Sequence, residues 1–262
     1  MASQLSNLFK DAHDEGLISS DTLNALNVID IGAEIQAALG VGVDDFGSSE
    51  VVFVTMLIDD SSSIDYVAGN ANAVREGHNA VIDALQSSKQ KGNVLIHTKY
   101  LNGKILYPYC YLDQTVKMNG SNYSPNGGTP LYDKTVEILS EVLAKSMEYS
   151  NNGIAVRTVT LIVTDGADYG SKKQTTHTVK STVVDMLKQE NHIIAAMGIY
   201  DGSTDFKDVF KDMGIPDKWV LTPKNTASDI RKAFQVFSQS AVKASQNAQI
   251  FNQTSLGGFG ST

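Results

Sequence analysis

The sequence lacks the features that mark disulfide-stabilised, nucleic-acid-binding and membrane-spanning proteins. Cys110 is its only cysteine, so no disulfide can form within the chain, which fits a reducing compartment. Lysine and arginine number 21 against 29 acidic residues, and the resulting net charge of -8 disfavours a nucleic-acid partner. No apolar run approaches the roughly 20 residues needed to cross a bilayer. The remaining composition, 42% hydrophobic and 19% charged, is typical of a globular protein.

The two ends of the chain differ from its centre. The first residues have no basic segment followed by an apolar core, as a Sec signal requires, so we expect a soluble, cytoplasmic protein with no membrane interaction. Residues 1–48 have apolar positions at helical spacing and a helix start signal at Ser20–Asp21. We expect them to form a helical N-terminal arm. Residues 248–262 lack periodicity, which predicts a flexible tail.

Between them, residues 49–247 alternate strand and helix patterns. Strands are predicted at 51–58, 94–100, 104–112, 156–163, 192–200 and 219–221. Helices are predicted at 67–89, 131–147, 176–190, 206–213 and 227–246. The near-continuous apolar runs 51–58 and 156–163 are typical of central strands covered on both faces. Asn102-Gly103 predicts a hairpin. We therefore expect an α/β, three-layer, Rossmann-like fold: a mostly parallel central sheet, one antiparallel edge strand and helices on both faces.

Acidic and hydroxyl side chains follow both predicted central strands. The first strand ends in "DDSSS", residues 59–63, and the second in "TDGAD", residues 164–168. The loop "NGGTP", residues 126–130, opens the helix between them. Ligands of open α/β sheets bind at the carboxyl ends of strands, so these segments are expected to meet. Alternation by two places Asp59, Ser61 and Ser63 on one side, and Asp60 and Ser62 elsewhere.

The oxygen atoms of this group suit a hard cation. Mg²⁺ prefers near-octahedral oxygen ligands and readily keeps water molecules. Ser61, Ser63 and Thr129 offer neutral hydroxyls, whereas Asp59 and Asp165 offer compensating negative charge. The sequence therefore predicts a metal site formed by these five residues.

The order Asp59-x-Ser61-x-Ser63, Thr129 in "GGTPLYD" and Asp165 in "VTDG" resembles the metal-ion-dependent adhesion site of von Willebrand factor A domains. The resemblance covers about residues 50 to 245. It implies that Ser61, Ser63 and Thr129 bind the metal directly, and that Asp59 and Asp165 act mainly through water or by hydrogen-bonding its ligands. It also implies Mg²⁺, with Mn²⁺ or Ca²⁺ as alternatives.

In that family, one coordination position is left for an Asp or Glu of a partner protein. The resemblance thus implies a protein–protein interaction module and no enzyme. The absence of a signal and of disulfides favours the compact intracellular prokaryotic members. Those often work beside MoxR-type AAA ATPases, or in tellurium-resistance, stress or defence systems.

Three alternatives remain open on the residues alone. Asp59 could be the nucleophile of a metal-dependent phosphatase or phosphotransferase, although Ser61 replaces the usual second acid and Lys172 and Lys173 match only loosely. The chain could be a metal-independent scaffold. The motifs could also be polar turns in which Ser63 or Asp65 caps one helix, and in which Thr129 caps another with Pro130 at its first position.

Two further acids flank the predicted metal site. Asp60 and Asp168 follow the same two strands and could shape the rim of the site. Solvation of both carboxylates is the simpler expectation.

Overall fold

A six-stranded sheet forms the centre of the protein in the computed structural model, which describes residues 2–27 and 31–261. The strands are β1 (Glu50–Ile58), β2 (Val94–Tyr100), β3 (Ile105–Tyr111), β4 (Ala155–Thr164), β5 (His192–Gly198) and β6 (Val220–Leu221). They lie in the order β3-β2-β1-β4-β5-β6, and all neighbours are parallel except the antiparallel pair β2 and β3. The predicted fold class is confirmed, including its antiparallel edge strand.

Helices cover both faces of this sheet. Within the described ranges they are α1 (Ala2–Asp14), α2 (Ser20–Leu26), α3 (Ile31–Ala38), α4 (Asn70–Gln86), α5 (Leu131–Ser150), α6 (Thr176–Lys188), α7 (Phe206–Asp212), α8 (Ala227–Ala244) and α9 (Ala248–Gly257). One layer pairs α4 with α8, and the other pairs α5 with α6. None of these helices is both long and apolar enough to cross a membrane.

The central strands β1 and β4 end side by side. The two strands pair without a register shift up to the last residue of β1, where Ile58 lies opposite Val163. Both strands are buried along almost their whole length because helices cover both faces of the sheet. The two segments that follow these strands therefore leave the sheet at the same edge.

The hairpin between β2 and β3 follows the Asn-Gly signal. Gly103 has a φ of +91°, a left-handed conformation that glycine adopts without steric cost. Tyr100 and Lys104 close the turn, since the Tyr100 amide donates to the Lys104 carbonyl at 2.9 Å. This turn lies at the same edge of the sheet as the ends of β1 and β4.

The N-terminal arm packs on the layer formed by α5 and α6. Ser19 caps α2, and the Ser19 amide, the Ser19 hydroxyl and the Thr22 hydroxyl all donate to Oδ2 of Asp185 on α6, at 2.7, 2.6 and 2.7 Å. Glu34 of α3 approaches Lys134 of α5 at 3.8 Å. The described part of the arm is thus helical, and polar contacts join it to helices α5 and α6. Val28 and Ile29, two apolar positions of the helical pattern predicted for the arm, lie outside the described residues.

The C-terminal segment forms regular structure where an irregular tail was predicted. Asn247 caps α9 by accepting a 2.9 Å hydrogen bond from the Ile250 amide, and residues 258–261 form a 3₁₀ turn. Phe251 and Phe259 are buried, and the Phe259 ring meets Trp219 edge to face at 4.9 Å between centroids. Burial of these aromatic rings explains why the segment folds without a periodic pattern.

Candidate metal centre

Asp59 lies at the carboxyl end of β1 and is completely buried. Its amide donates to the Val163 carbonyl at 3.0 Å, which continues the pairing of β1 with β4. Oδ1 accepts the Ser61 amide at 2.7 Å. Oδ2 accepts the Thr164 hydroxyl at 2.7 Å and the Asp165 amide at 3.3 Å. The Asp59 carboxylate therefore holds together the two segments that carry the other candidate ligands.

Three oxygen atoms converge beside Asp59. The Ser61 and Ser63 hydroxyls lie 2.9 Å apart, and Oδ1 of Asp165 accepts a hydrogen bond from each, at 3.1 Å from Ser61 and 2.8 Å from Ser63. Asp165 and Ser61 are buried, whereas Ser63 is half-buried. Ser62 is exposed, as the alternation by two predicts. The result is a compact triangle of oxygens drawn from two strand ends, which we call the oxygen triangle.

The loop that carries Thr129 folds over the same edge. The Gly127 amide donates to the Asp60 carbonyl at 3.0 Å, and Gly127 forms a parallel bridge with Ser61. The Tyr169 amide donates to the Thr129 carbonyl at 2.8 Å. A Cβ at Gly166 would lie 3.8 Å from the Thr129 hydroxyl. Thr129 is buried, and its side chain lies beside Gly166, the residue that follows Asp165. Backbone hydrogen bonds fix its segment to the loops that follow both strands.

The carboxylates of this site are crowded and poorly solvated. Burial raises the pKa of Asp59. Burial, followed by the nearby Asp59 carboxylate, raises the pKa of Asp165 to about 6. Burial also raises the pKa of Asp60 to about 6, despite the hydrogen bond from the Asn102 amide. The groups that donate to Asp59 and Asp165 are neutral hydroxyls and amides. A bound cation would supply the missing positive charge.

The donor set fits Mg²⁺. Adjacent ligands of an octahedral cation with bonds of roughly 2.1 Å lie about 3.0 Å apart, close to the 2.9 Å between the Ser61 and Ser63 hydroxyls. No three His, Cys, Asp or Glu side chains converge on a metal within residues 2–27 and 31–261. A cation here would therefore need hydroxyl ligands, which favours a hard ion over zinc or copper.

The polar-turn alternatives do not describe the local structure. Helix α4 begins after Gly69, so neither Ser63 nor Asp65 caps it. Residues Ser62–Tyr66 instead form a 3₁₀ turn. The Ser63 hydroxyl is directed to Asp165, which lies on the neighbouring strand end.

The start of α5 is also capped differently from the prediction. Pro130 occupies the cap position rather than the first helical position, and Thr129 lies before it. Oδ1 of Asp168 accepts the Tyr132 amide at 3.1 Å and the Ser171 hydroxyl at 2.5 Å. Asp168 is therefore a helix-capping residue from another loop, because a free amide at a helix start needs an acceptor. Its expected role as a solvated acid is wrong.

Asp60 is likewise not solvated. It is buried, and its Oδ1 accepts the Asn102 amide of the hairpin turn at 3.0 Å. Its carbonyl accepts the amides of Asn126 and Gly127 at 2.9 and 3.0 Å. Asp60 therefore joins the first strand end to two other loops, and its side chain is directed away from the oxygen triangle.

Sequence reasoning missed two residues that support the site. Thr164 donates to Asp59, and the Tyr123 hydroxyl donates to the Asp59 carbonyl at 2.7 Å. Thr164 could have been found, since it is the hydroxyl residue between the apolar run and Asp165 in "VTDG". Tyr123 lies in a loop without regular pattern, so its contact depends on the tertiary fold.

Solved structures share this fold, although no protein-family model matches the sequence and no curated protein sequence is significantly similar to it. The pilus adhesin SpaC of Lactobacillus rhamnosus GG aligns with a TM-score of 0.54 and 13% identity, covering 75% of this chain and 31% of SpaC. The proximal thread matrix protein 1 of the mussel byssus aligns with a TM-score of 0.51 and 16% identity, covering 74% of this chain and 47% of that protein.

These likenesses show the fold alone. The chain spans less than half the length of either protein. The SpRpn10 VWA domain aligns less well, with a TM-score of 0.48 and 10% identity over 71% of this chain and 94% of that domain. The strand order, the antiparallel edge strand and the two helical layers make this an α/β protein with a von Willebrand factor A-like fold.

Proposed function

We propose that the protein is a Mg²⁺-dependent interaction module that binds an Asp or Glu side chain of a partner protein. Ser61, Ser63 and Thr129 would hold the cation, with Asp59 and Asp165 supplying negative charge around it. The observation that carries this proposal is the 2.9 Å separation of the Ser61 and Ser63 hydroxyls, which suits two adjacent ligands of Mg²⁺, beside the Asp165 carboxylate that accepts a hydrogen bond from each of them.

The chemistry of these ligands favours an acidic partner. Hydroxyl oxygens donate electron density without cancelling the charge of the ion, so a bound Mg²⁺ would attract an external carboxylate. Ser63 is half-buried, which leaves the triangle accessible from the loop side. A partner carboxylate that is desolvated at the cation would then contribute much of the binding free energy, even where the interface is small.

The environment of Asp59 supports a binding function over phosphoryl transfer. A nucleophilic carboxylate needs a free oxygen that can reach the substrate. Asp59 is completely buried, and both its oxygens already accept hydrogen bonds. We therefore propose that the protein is not an enzyme.

The biological setting of this proposal rests on the family resemblance. It implies a cytoplasmic prokaryotic protein that works with a MoxR-type AAA ATPase, or in a stress, tellurium-resistance or defence system. We also propose that the chain divides into three parts. These are an arm of residues 1–48, a domain of residues 49–247 and a C-terminal segment of residues 248–262.

Calorimetric titration of Mg²⁺ into chelator-treated protein tests the metal site. Wild type should bind one Mg²⁺, and Ser63→Ala should bind it at least about tenfold more weakly because one direct ligand is lost. Ser62→Ala is the matched control, since Ser62 is the exposed neighbour of the same type. Mn²⁺ and Ca²⁺ titrations establish the preferred ion.

Two results would overturn the proposal. Equal Mg²⁺ affinity in wild type, Ser63→Ala and Ser62→Ala would show that Mg²⁺ does not bind at the end of β1. Concentration-dependent self-assembly that is indifferent to Mg²⁺, together with no Mg²⁺ binding, would favour the metal-independent scaffold instead.

A further inference from the structure

Three tyrosines are exposed in loops of the protein. The exposed fractions are 80% for Tyr66, 82% for Tyr169 and 50% for Tyr200. An aromatic ring has a large apolar surface and gains free energy when a partner covers it, so these exposed rings could each contribute to binding. Tyrosine is also enriched at the energetic centres of protein interfaces.

All three loops leave the same edge of the sheet. They follow β1, β4 and β5, which are parallel strands at adjacent positions in the sheet order. The candidate metal site lies at this edge, at the ends of β1 and β4. The three tyrosines therefore lie in loops at the edge of the sheet that carries the oxygen triangle, and we call them the tyrosine rim.

Hydrogen bonds hold the backbone of the tyrosine rim in place. Tyr66 ends the 3₁₀ turn that directly follows Ser61. The Tyr169 amide donates to the Thr129 carbonyl at 2.8 Å. The Tyr200 amide donates to the Pro223 carbonyl at 3.1 Å. Because these segments are already ordered, docking a partner on the rings would cost little backbone entropy.

We propose that the tyrosine rim is a docking surface for a peptide segment in which one Asp or Glu is flanked by apolar side chains. This inference rests on the proposed function, because the acid would bind the cation held by the oxygen triangle. The flanking side chains would pack on the rings of Tyr66, Tyr169 and Tyr200.

The charge of the protein favours a single acid over an acidic tract. The net charge is -8, so a run of carboxylates would be repelled by the rest of the surface. Asp65 and Asp201, next to the rim in the first and third loops, are exposed acids that add to this repulsion nearby. A lone carboxylate is attracted by the cation at short range, and apolar neighbours avoid the repulsion altogether.

In the proposed complex, the aromatic rings would also exclude water from the metal–carboxylate contact. Electrostatic attraction strengthens when the surrounding dielectric falls, so rings packed around the contact increase its strength. This role requires the side chains of the rim and not its backbone. Replacement of a rim tyrosine by serine should therefore weaken peptide binding without loss of the cation.

Peptide display tests the inference. A library of 13-residue peptides, with Asp or Glu at the centre and random flanks, is selected on the full chain in Mg²⁺ and eluted with EDTA. We expect leucine, isoleucine, valine, proline and aromatic residues to be enriched beside the acid. The affinity of the strongest selected peptide is then measured for Tyr66→Ser, Tyr169→Ser and Tyr200→Ser. Each variant should bind it about tenfold more weakly and keep wild-type Mg²⁺ affinity.

The control is Leu256→Ser, which removes a side chain that is 78% exposed on α9, outside these loops. It should bind the peptide as wild type does. Enrichment of additional acids, or wild-type peptide affinity in all three tyrosine variants, would overturn the proposed role of the tyrosine rim. The proposed metal-dependent function would remain. Selected peptides that EDTA does not elute, or that Ser63→Ala binds equally well, would overturn the proposed function itself. A selection that enriches nothing over Ser63→Ala would overturn both.

Discussion

The Thr164 hydroxyl donates a 2.7 Å hydrogen bond to Oδ2 of Asp59, and both side chains are completely buried. This bond joins the ends of β1 and β4 directly beneath the oxygen triangle. It also stabilises the charged form of a carboxylate whose pKa burial raises. The position of the proposed metal ligands therefore depends on a residue that is not itself a proposed ligand.

Replacing Thr164 by valine removes this donor while keeping the shape of the side chain. We expect a loss of about 1–3 kcal/mol in the free energy of unfolding, because a buried carboxylate loses a partner. Mg²⁺ affinity should fall about 10- to 100-fold, as is typical when a residue that orients metal ligands is lost. Urea denaturation in EDTA and Mg²⁺ calorimetry measure the two effects.

Thr160→Val is the matched control in the same strand. Thr160 is also completely buried, but its hydroxyl has no hydrogen-bond partner among the described residues. Its replacement should leave stability unchanged or raise it, and Mg²⁺ affinity should not change. Similar losses in Thr160→Val and Thr164→Val would contradict a specific role for the bond to Asp59.

Lys99 is the centre of a buried ionic group beneath the hairpin. Its amine contacts Oε1 of Glu141 at 2.7 Å and also pairs with Glu137. Lys99→Met should cost about 3–5 kcal/mol of stability, because the buried Glu141 would lose its lysine partner and Glu137 would keep only Lys134. Lys117→Met, which breaks the exposed pair with Asp83, should cost no more than about 1 kcal/mol. Chemical denaturation compares the two, and equal costs would contradict the prediction.

Glu34 on α3 makes the attachment of the arm sensitive to pH. Burial, followed by a hydrogen bond with Glu137 and the charge of that residue, raises the pKa of Glu34 to about 7, although Lys134 and Lys99 oppose the shift. The folded protein therefore binds a proton more tightly than the unfolded chain. The stability that this provides is fully present below about pH 4.5 and is lost as the pH rises through 7.

Glu34→Gln should remove this dependence. The free energy of unfolding of the variant, relative to wild type, should rise between pH 4.5 and 7 and then level off. Denaturant titrations at intervals across this range measure the difference. Parallel curves for the two proteins would show that Glu34 keeps its ordinary pKa in the folded state.

Two substitutions in α9 test how much the packed C-terminal segment contributes to the stability of the protein. Phe251→Ala should destabilise the protein by about 3–5 kcal/mol, because the ring is almost completely buried. Leu256→Ala in the same helix should change stability by less than about 0.5 kcal/mol, since that side chain is exposed. A flexible tail, as the sequence pattern suggested, would instead make both substitutions neutral.

The elements that sequence reasoning found share one property, which is that their signals are local. The central strands β1 and β4 are near-continuous apolar runs, and the hairpin has its Asn102-Gly103 pair. The spacing of Asp59, Ser61 and Ser63 follows from the alternation of an extended chain. These features fix the edge of the sheet where the site lies.

The features that were missed depend on contacts between distant segments. Asp168 caps α5 because the loop after β4 folds back over the start of that helix. Asp60 is buried because the hairpin turn covers it. The C-terminal segment is ordered because Trp219 and its neighbours offer a surface for Phe259, in the 3₁₀ turn that follows α9. None of these contacts has a signal in its own stretch of sequence.

The oxygen triangle joins parts of the chain that are far apart. Ser61 and Asp165 are separated by 104 residues and meet only when β1 and β4 have paired. A cation that needs both residues can bind only after that pairing has formed, so it has little affinity for the chain before its sheet is complete. Mg²⁺ should therefore slow unfolding while leaving the rate of folding nearly unchanged, as expected for an interaction that forms late.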